Sequence, residues 1–145
     1  MPENRSDGAL PKIHIDHIGI IVADLERAVE QLGVLFGGAP ELKELPEAGL
    51  RVAEFHAANV TVELLQYTGS NDAFARRVMG ERSGLNHISA RVSDVEASLG
   101  QLRAAGLRPM EGFPRQGAHG RVAFFEPDAA SGLLFEICQP DVHHE

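Results

Sequence analysis

The stretch Ile15-Asp16-His17-Ile18-Gly19-Ile20 points to the architecture of this chain, because its central dipeptide returns 70 residues later as His87-Ile88. The same spacing relates Arg51-Val52-Ala53-Glu54-Phe55 to Arg121-Val122-Ala123-Phe124-Phe125. Similarity that recurs at one fixed spacing is the mark of a duplicated structural unit. The sequence therefore predicts two copies of one module within a single domain.

The repeat extends to the end of each half, where the spacing changes from 70 to 73 residues. There Glu63 aligns with Glu136 and Gln66 with Gln139, and the three extra residues fall in the turn-rich segment Glu126–Gly132. We expect one domain over residues 13–140, flanked by mobile tails. The expected boundaries are module one at 13–68, a helical connector at 69–84, module two at 85–140, and tails at 1–12 and 141–145.

Each module is expected to fold as βαβββ. The first helix shows the apolar spacing of four and three in Leu25, Val29 and Leu32, and β-branched or alternating runs predict the strands. The predicted strands are Ile13–Val22, Ala39–Leu45, Leu50–His56 and Val60–Tyr67 in module one, and Asn86–Val92, Leu107–Glu111, Arg121–Glu126 and Leu133–Gln139 in module two. A short helix is expected within Asp72–Gly80. The fold class is thus α+β, with a cupped mixed sheet.

Composition excludes several classes of protein. The chain has 145 residues, 43% of them hydrophobic, and a formal charge of −8, which is typical of a soluble globular domain. It has neither the basic cluster of a protein that binds nucleic acid or anionic membranes nor the apolar run of ~18 residues of a membrane span. A single cysteine, Cys138, excludes an internal disulfide framework. We expect a cytoplasmic protein.

Four ionisable residues occupy repeat-equivalent strand positions: His17 and His87 in the first strand of each module, and Glu63 and Glu136 in the last. Side chains alternate between the two faces of a strand, and each of these four projects opposite the apolar stripe. A pseudo-twofold axis between the modules would bring them onto one concave surface. Two imidazoles and two carboxylates suit Co, Ni, Mn, Zn or Fe(II), and leave two octahedral positions for water or substrate. The pattern predicts a divalent metal site.

These motifs resemble those of the vicinal oxygen chelate superfamily, which includes glyoxalases, bleomycin resistance proteins and dioxygenases, and within it the methylmalonyl-CoA epimerase family. The resemblance covers nearly the whole chain. The segments that carry it are Ile15–Ile20, Pro46-Glu47-Ala48-Gly49, Val62-Glu63-Leu64-Leu65, Gly84-Leu85-Asn86-His87-Ile88, Gly117-Ala118-His119-Gly120 and Gly132-Leu133-Leu134-Phe135-Glu136. The Pro-Glu-x-Gly and Gly-Ala-His-Gly segments are the ones more particular to the epimerases.

The resemblance implies a metal-dependent isomerase that interconverts (2R)- and (2S)-methylmalonyl-CoA by removing the C2 proton and forming a metal-stabilised enolate. It implies a small acyl-CoA as the partner, cobalt before nickel, manganese or zinc as the metal, and a homodimer as the assembly. Inversion needs a proton donor or acceptor on each face of the planar enolate, and Glu136 is our candidate for one of them.

The second base does not carry over directly. Some family members have a glutamate three residues after the glycine of Pro-Glu-x-Gly, where this chain has Val52. Glu54 lies two residues further along and therefore on the same strand face, whereas Glu47 lies in the preceding turn. Both glutamates are candidates for the second base.

Candidate substrate contacts lie in and after the Gly-Ala-His-Gly segment. His119 and Gly120 belong to a loop whose backbone is open to a ligand, and a hairpin turn is the equally weighted alternative. Arg121, like Arg115, is a candidate partner for the phosphates of CoA or for the substrate carboxylate.

Other functions remain open on the same fold. A lactoylglutathione lyase of the glyoxalase I type also uses two histidines and two glutamates. An extradiol dioxygenase needs only one carboxylate beside two histidines, so a ligating Glu63 disfavours it. A metal-free binding protein of the bleomycin type relies on an aromatic groove, whereas this chain has no tryptophan and one tyrosine.

Overall fold

The computed structural model of the chain describes residues 12–117 and 120–141. His119 and most of the two predicted tails lie outside the described residues. The strands are β1 (His14–Ile21), β2 (Glu41–Leu45), β3 (Leu50–His56), β4 (Thr61–Tyr67), β5 (Gly84–Arg91), β6 (Arg115–Gln116), β7 (Gly120–Phe125) and β8 (Phe135–Pro140). The helices are α1 (Leu25–Phe36), α2 (Ala73–Met79) and α3 (Val95–Ala104), with one 3-10 turn at Pro127–Ala129.

All eight strands form one curled mixed sheet in the order β2-β3-β4-β1-β5-β8-β7-β6. Within each module the first and last strands pair in parallel, β1 with β4 and β5 with β8. The antiparallel pair β1–β5 joins the modules at the centre of the sheet. The predicted α+β class with a cupped mixed sheet is confirmed.

The repeat is visible in how the helices begin. The backbone N–H of Leu25 in α1 donates to Gln66 Oε1 at 2.7 Å, and that of Val95 in α3 donates to Gln139 Oε1 at 2.9 Å. The first N–H groups of a helix have no partner within the helix, so an amide oxygen from the last strand of the module satisfies one of them. This hydrogen bond fixes the start of each helix to the last strand of its own module. It gives a structural reason why Gln66 and Gln139 occupy equivalent positions in the repeat.

A second repeated contact lies on the helix side of the sheet. Arg51 forms an ion pair with Glu26 of α1, and Arg121 Nε lies 2.6 Å from Glu96 Oε2 of α3. Neither arginine lines the cavity described below. Arg121, which the sequence offered as a candidate for substrate contact, thus lies on the helix side of the sheet and away from the cavity.

The main apolar core lies between the sheet and the two long helices. The residues packed between the sheet and α1 include Leu25, Ala53, Phe55, Val62 and Leu64; those between the sheet and α3 include Val95, Leu99, Ala123, Phe125 and Ile137. The strand residues that alternate with them point to the opposite, concave face. The concave face therefore carries the side chains that line the cavity described below, apolar against α2 and ionisable in the middle of the sheet.

One predicted strand is wrong. Within Leu107–Glu111 only Pro109 forms a ladder contact, an isolated bridge to Phe125. The N–H groups of Met110 and Glu126 donate across this bridge to Phe124 O and Arg108 O, but the chain turns at Gly112, where φ is +95°, before a longer ladder forms. The edge strand of module two is instead the two-residue β6, at Arg115–Gln116.

No helix among the described residues is both long enough and apolar enough to span a membrane.

The short helix α2 is tied to module one through Gly49. The N–H of Thr68 donates to Gly49 O at 2.9 Å, and the added Cβ of an alanine at position 49 would lie 2.5 Å from both Ser70 O and Asp72 Cβ. The φ of Gly49 is +70°, a region that disfavours every residue with a Cβ. Glycine is required here on two grounds, conformation and space.

We expect Gly49→Ala to lower the free energy of unfolding by about 3 kcal/mol, because left-handed strain and a steric overlap add together. Gly37→Ala is the matched control, since Gly37 has a φ of +78° but open space around it, and it should lose only about 1 kcal/mol. Urea unfolding of both variants measures the difference. Equal losses would show that the Gly49 contact with the start of α2 does not constrain the fold.

Candidate metal centre

A cavity of about 870 Å³ opens on the concave face of the sheet. Its lining combines residues from both modules with α2, which contributes Phe74, Ala75, Val78 and Met79. The lining is apolar near α2 and strongly ionisable in the middle of the sheet.

The four sequence candidates for metal ligation all line this cavity. They come from four consecutive strands of the sheet, with Glu63 on β4, His17 on β1, His87 on β5 and Glu136 on β8. His87 and Glu136 are each 5% exposed, and His17 and Glu63 are half-buried. Residues up to 119 positions apart in the chain thus meet at the centre of one surface.

The ligand atoms of these four side chains lie close to one another. His17 Nε2 lies 3.1 Å from Glu136 Oε1 and 3.7 Å from Glu63 Oε1, and His87 Nε2 lies 3.9 Å from Glu136 Oε1. One ligand atom each from His17, Glu63 and His87 fall within 4.8 Å of one another. The two imidazole rings meet edge to face, with centroids 5.6 Å apart.

The donor set fits a divalent cation. Glu136 Oε1 is buried and has no hydrogen-bond partner with acceptable geometry among the described residues, although the two imidazole nitrogens lie close to it. A buried carboxylate oxygen without a partner costs several kilocalories per mole, and a cation shared with the imidazoles removes that cost. Two nitrogens and two carboxylates suit Co, Ni, Mn and Zn.

Each histidine is oriented by the residue that precedes it. His17 Nδ1 lies 2.8 Å from Asp16 Oδ2, and His87 Nδ1 lies 2.8 Å from Asn86 Oδ1. Because an acceptor faces Nδ1, each ring keeps a proton on Nδ1, and Nε2 is the nitrogen that faces the centre and is available to a metal, as in other metal-binding histidines. This orienting role of Asp16 and Asn86 was not predicted from the sequence. The signal was present, since Asp16 and Asn86 are themselves repeat-equivalent acceptors one position before each histidine.

The pKa values of the two imidazoles are shifted in opposite directions by their surroundings. Burial opposes protonation of His17, but its hydrogen bond to Asp16 and the carboxylates of Glu136 and Glu63 raise its pKa to about 11. The hydrogen bond from His17 holds the pKa of the Asp16 carboxyl well below its usual range. Burial lowers the pKa of His87 to about 4, and burial with the nearby Glu136 charge raises that of Glu63 to about 7. The centre therefore attracts positive charge at the His17 side.

Gly19 makes room for His87. It lies on β1 between Glu63 on one neighbouring strand and His87 on the other. A Cβ at position 19 would lie 2.2 Å from His87 Cε1, inside the imidazole ring's own space. The glycine therefore allows the ring to lie flat over β1 and reach the centre.

The structure separates the two candidates for the second base. Glu54 is 5% exposed, lines the cavity and lies directly opposite Glu63 in the β3–β4 register, with Lys43 Nζ 3.2 Å from its Oε1. Glu47 lies in the exposed turn after β2 and does not line the cavity. Gly120 lines the cavity through its backbone, whereas Arg121 beside it does not.

Comparisons with known proteins show the family of the chain and its fold. A family model described as the Glyoxalase/Bleomycin resistance protein/Dioxygenase superfamily matches residues 16–125. The ethylmalonyl-CoA/methylmalonyl-CoA epimerase of Cereibacter sphaeroides is 34% identical over 131 residues, which are 86% of this chain and 96% of that protein. The crystal structure of methylmalonyl-CoA epimerase from Mycobacterium tuberculosis has a TM-score of 0.75 at 27% identity, covering 96% of both chains. A methylmalonyl-CoA epimerase in complex with methylmalonyl-CoA and NH4+ has a TM-score of 0.68 at 29% identity, covering 86% of this chain and 92% of the other.

We expect Gly19→Ala to weaken cobalt binding at least tenfold, because the new methyl group displaces the His87 ring. Gly100→Ala on α3 is the control, since a Cβ there meets nothing within 4 Å. Cobalt titration followed by visible absorption measures both affinities, and circular dichroism checks that the variants fold. Unchanged affinity in folded Gly19→Ala protein would show that His87 is not a ligand.

Proposed function

The chain belongs to the glyoxalase/bleomycin resistance protein/dioxygenase superfamily, and from this membership we propose that it is an isomerase acting on an acyl-CoA, which interconverts (2R)- and (2S)-methylmalonyl-CoA. The single observation that carries the proposal is the presence of two buried carboxylates, Glu54 and Glu136, from different modules in one cavity. The similarity to proteins named methylmalonyl-CoA epimerase supplies the substrate class.

The chemistry requires stabilisation of negative charge and movement of a proton. The C2 proton lies between a thioester and a carboxylate, so its removal produces an enolate that needs a positive counterpart. We propose that His17, Glu63, His87 and Glu136 hold a divalent ion, cobalt before nickel, manganese or zinc. When bound, such an ion supplies Lewis-acid stabilisation of the enolate charge.

The two bases are proposed to act from opposite sides of the cavity. Glu54 stands on β3 and Glu136 on β8, with the three strands β4, β1 and β5 between them in the sheet. Because the sheet is curled, side chains from strands this far apart approach a bound ligand from different directions. One of the two groups, as the carboxylate, removes the C2 proton from one face of the carbon and becomes the acid. The other, as the protonated carboxylic acid, gives its proton to the opposite face and becomes the carboxylate, which inverts the centre.

Lys43 supports the proposed role of Glu54. Its ammonium lies 3.2 Å from Glu54 Oε1 and 3.9 Å from Glu41 Oε2, and its side chain is 20% exposed. This contact holds the Glu54 carboxylate toward the cavity rather than toward solvent. His56 Nε2 lies 3.7 Å from the same Glu54 oxygen, and a buried carboxylate positioned by such neighbours has a defined place from which to reach a substrate carbon.

The test is deuterium uptake at C2 of methylmalonyl-CoA in D₂O, followed by mass spectrometry. The cobalt-loaded protein should exchange C2 hydrogen far faster than an EDTA-treated sample and a buffer blank. Absence of uptake from protein shown to hold its metal would overturn the proposal. Formation of lactoylglutathione from the glutathione hemithioacetal would then assign the chain to glyoxalase-type isomerisation.

We expect Glu54→Gln to lower the epimerisation rate by roughly 10²-fold to 10⁴-fold, because one of two proton-transfer groups is lost. The variant should still exchange the C2 proton of the one epimer that faces Glu136. Chiral analysis of the product, combined with deuterium uptake from each epimer, measures the two effects separately.

Glu44→Gln is the matched control, since Glu44 is an exposed β2 glutamate that does not line the cavity. It should epimerise at the wild-type rate. Full activity in Glu54→Gln, together with loss of activity in Glu47→Gln, would assign the second base to Glu47 instead.

The homodimer and the cytoplasmic location expected from the sequence stay predictions. They do not enter the proposed chemistry, because every residue assigned to it comes from a single chain.

A further inference from the structure

A cluster of two arginines lies over Phe74, a ring of the cavity lining, and the arginines themselves lie just outside that lining, at its rim. The guanidinium carbon of Arg115 lies 4.3 Å from the centroid of Phe74, and that of Arg77 lies 4.9 Å from the same centroid. Phe74 lines the cavity and is 37% exposed, so the ring marks the point where the cavity meets solvent. Gly112 closes on the ring edge, since a Cβ there would lie 3.2 Å from Phe74 Cε1.

The two guanidiniums of the cluster carry positive charge that the carboxylates of the described residues do not neutralise. Among residues 12–117 and 120–141, neither Arg77 nor Arg115 forms an ion pair. Arg77 donates to the backbone oxygen of Glu111 at 2.9 Å, a contact that positions the guanidinium and leaves its charge available. Two such guanidiniums at one site are notable in a chain with a formal charge of −8.

An unbroken row of rings joins this cluster to the candidate metal centre. The centroids of His87 and Phe124 are 5.1 Å apart, those of Phe124 and Phe113 are 5.5 Å apart, and those of Phe113 and Phe74 are 5.7 Å apart. All four rings line the cavity. The row forms an apolar wall that begins at a candidate ligand and ends beneath two guanidiniums.

The remainder of the cavity is unsuited to phosphates. Its ionisable lining contains five carboxylates: Asp16, Glu41, Glu54, Glu63 and Glu136. The two basic residues in the lining already lie against carboxylates, Lys43 at 3.2 Å from Glu54 and Arg91 at 2.7 Å from Asp16. An anionic group therefore finds favourable charge at the rim and repulsion at the centre.

We propose that Arg77 and Arg115 bind the phosphate groups of coenzyme A, while the pantetheine arm lies along the wall of Phe74, Phe113 and Phe124. This inference rests on the proposed acyl-CoA function and deepens it by assigning the nucleotide end of the substrate. A planar guanidinium donates paired hydrogen bonds to phosphate oxygens. The wall supplies an apolar surface for the arm between the two polar ends of the ligand.

The experiment measures binding of coenzyme A and of pantetheine, which lacks the phosphates, to the cobalt-loaded chain by titration calorimetry. Arg77→Gln and Arg115→Gln should each weaken coenzyme A binding by about 10-fold to 100-fold and leave pantetheine binding unchanged. Arg115→Lys should recover part of the loss, because it keeps the charge without the planar fork. Arg103→Gln, at an exposed arginine of α3 on the opposite side of the sheet from the cavity, is the matched control and should bind both ligands as wild type does.

A second measurement needs no variant and so does not depend on the variants folding. Raising the salt concentration should weaken coenzyme A binding to the wild type and leave pantetheine binding nearly constant, since only the former involves exposed charges. Wild-type affinity for coenzyme A in the folded arginine variants would overturn the proposal, and so would coenzyme A binding that does not respond to salt. An equal loss of affinity for coenzyme A and for pantetheine would show that the two arginines only stabilise the packing of α2 against residues 111–116.

The outcomes separate this inference from the proposed function. Wild-type protein that binds coenzyme A through the two arginines but shows no C2 exchange keeps the phosphate site and loses the epimerase assignment. Protein that exchanges C2 hydrogen equally well with and without the arginines keeps the epimerase assignment and loses the phosphate site. Failure of the wild type to bind coenzyme A at all would overturn the phosphate site directly.

Discussion

The antiparallel pairing of β1 with β5 is the contact on which the rest of the molecule depends. Each module carries one histidine and one glutamate on a parallel strand pair, and neither half alone holds more than two candidate ligands. The central pairing sets Gly19 against His87 and so allows both imidazoles to share one centre. A side chain at position 19 would separate the two halves of the site even if the sheet still formed.

The two modules contribute walls of different chemistry to the cavity, one rich in carboxylates and one aromatic. Glu54 in module one and Phe124 in module two occupy equivalent positions in the repeat. Each lies directly opposite a candidate ligand in its strand pair, Glu54 beside Glu63 and Phe124 beside Glu136. Module one thus contributes a carboxylate wall, while module two begins the aromatic row. A bound molecule meets proton-transfer groups on one side and an apolar surface on the other.

Concentrating carboxylates in one cavity has an energetic cost, and the structure offsets it with local partners. Asp16 is neutralised by His17 and Arg91, and Glu54 lies against Lys43. Buried charges are tolerated in proteins mainly when they are paired or bound to metal. The exception is Glu136 Oε1, whose lack of a hydrogen-bond partner among the described residues falls at the convergence of the two imidazoles. The carboxylate for which the fold supplies no such partner is the one assigned to both metal and substrate.

The sequence alone established the duplicated module, most of the strands and the four candidate ligands, because residue spacing and strand alternation are properties of the local chain. The strand predicted at Leu107–Glu111 from similarity to module one is wrong, because this segment forms one isolated bridge and then turns at Gly112. The sequence did not decide between Glu47 and Glu54 as the second base. It also did not reveal that Asp16 and Asn86 orient the histidines, or that two arginines lie over Phe74. Those answers depend on how the sheet curls and on distances between residues far apart in the chain, and only the packing of the two modules against each other sets such distances.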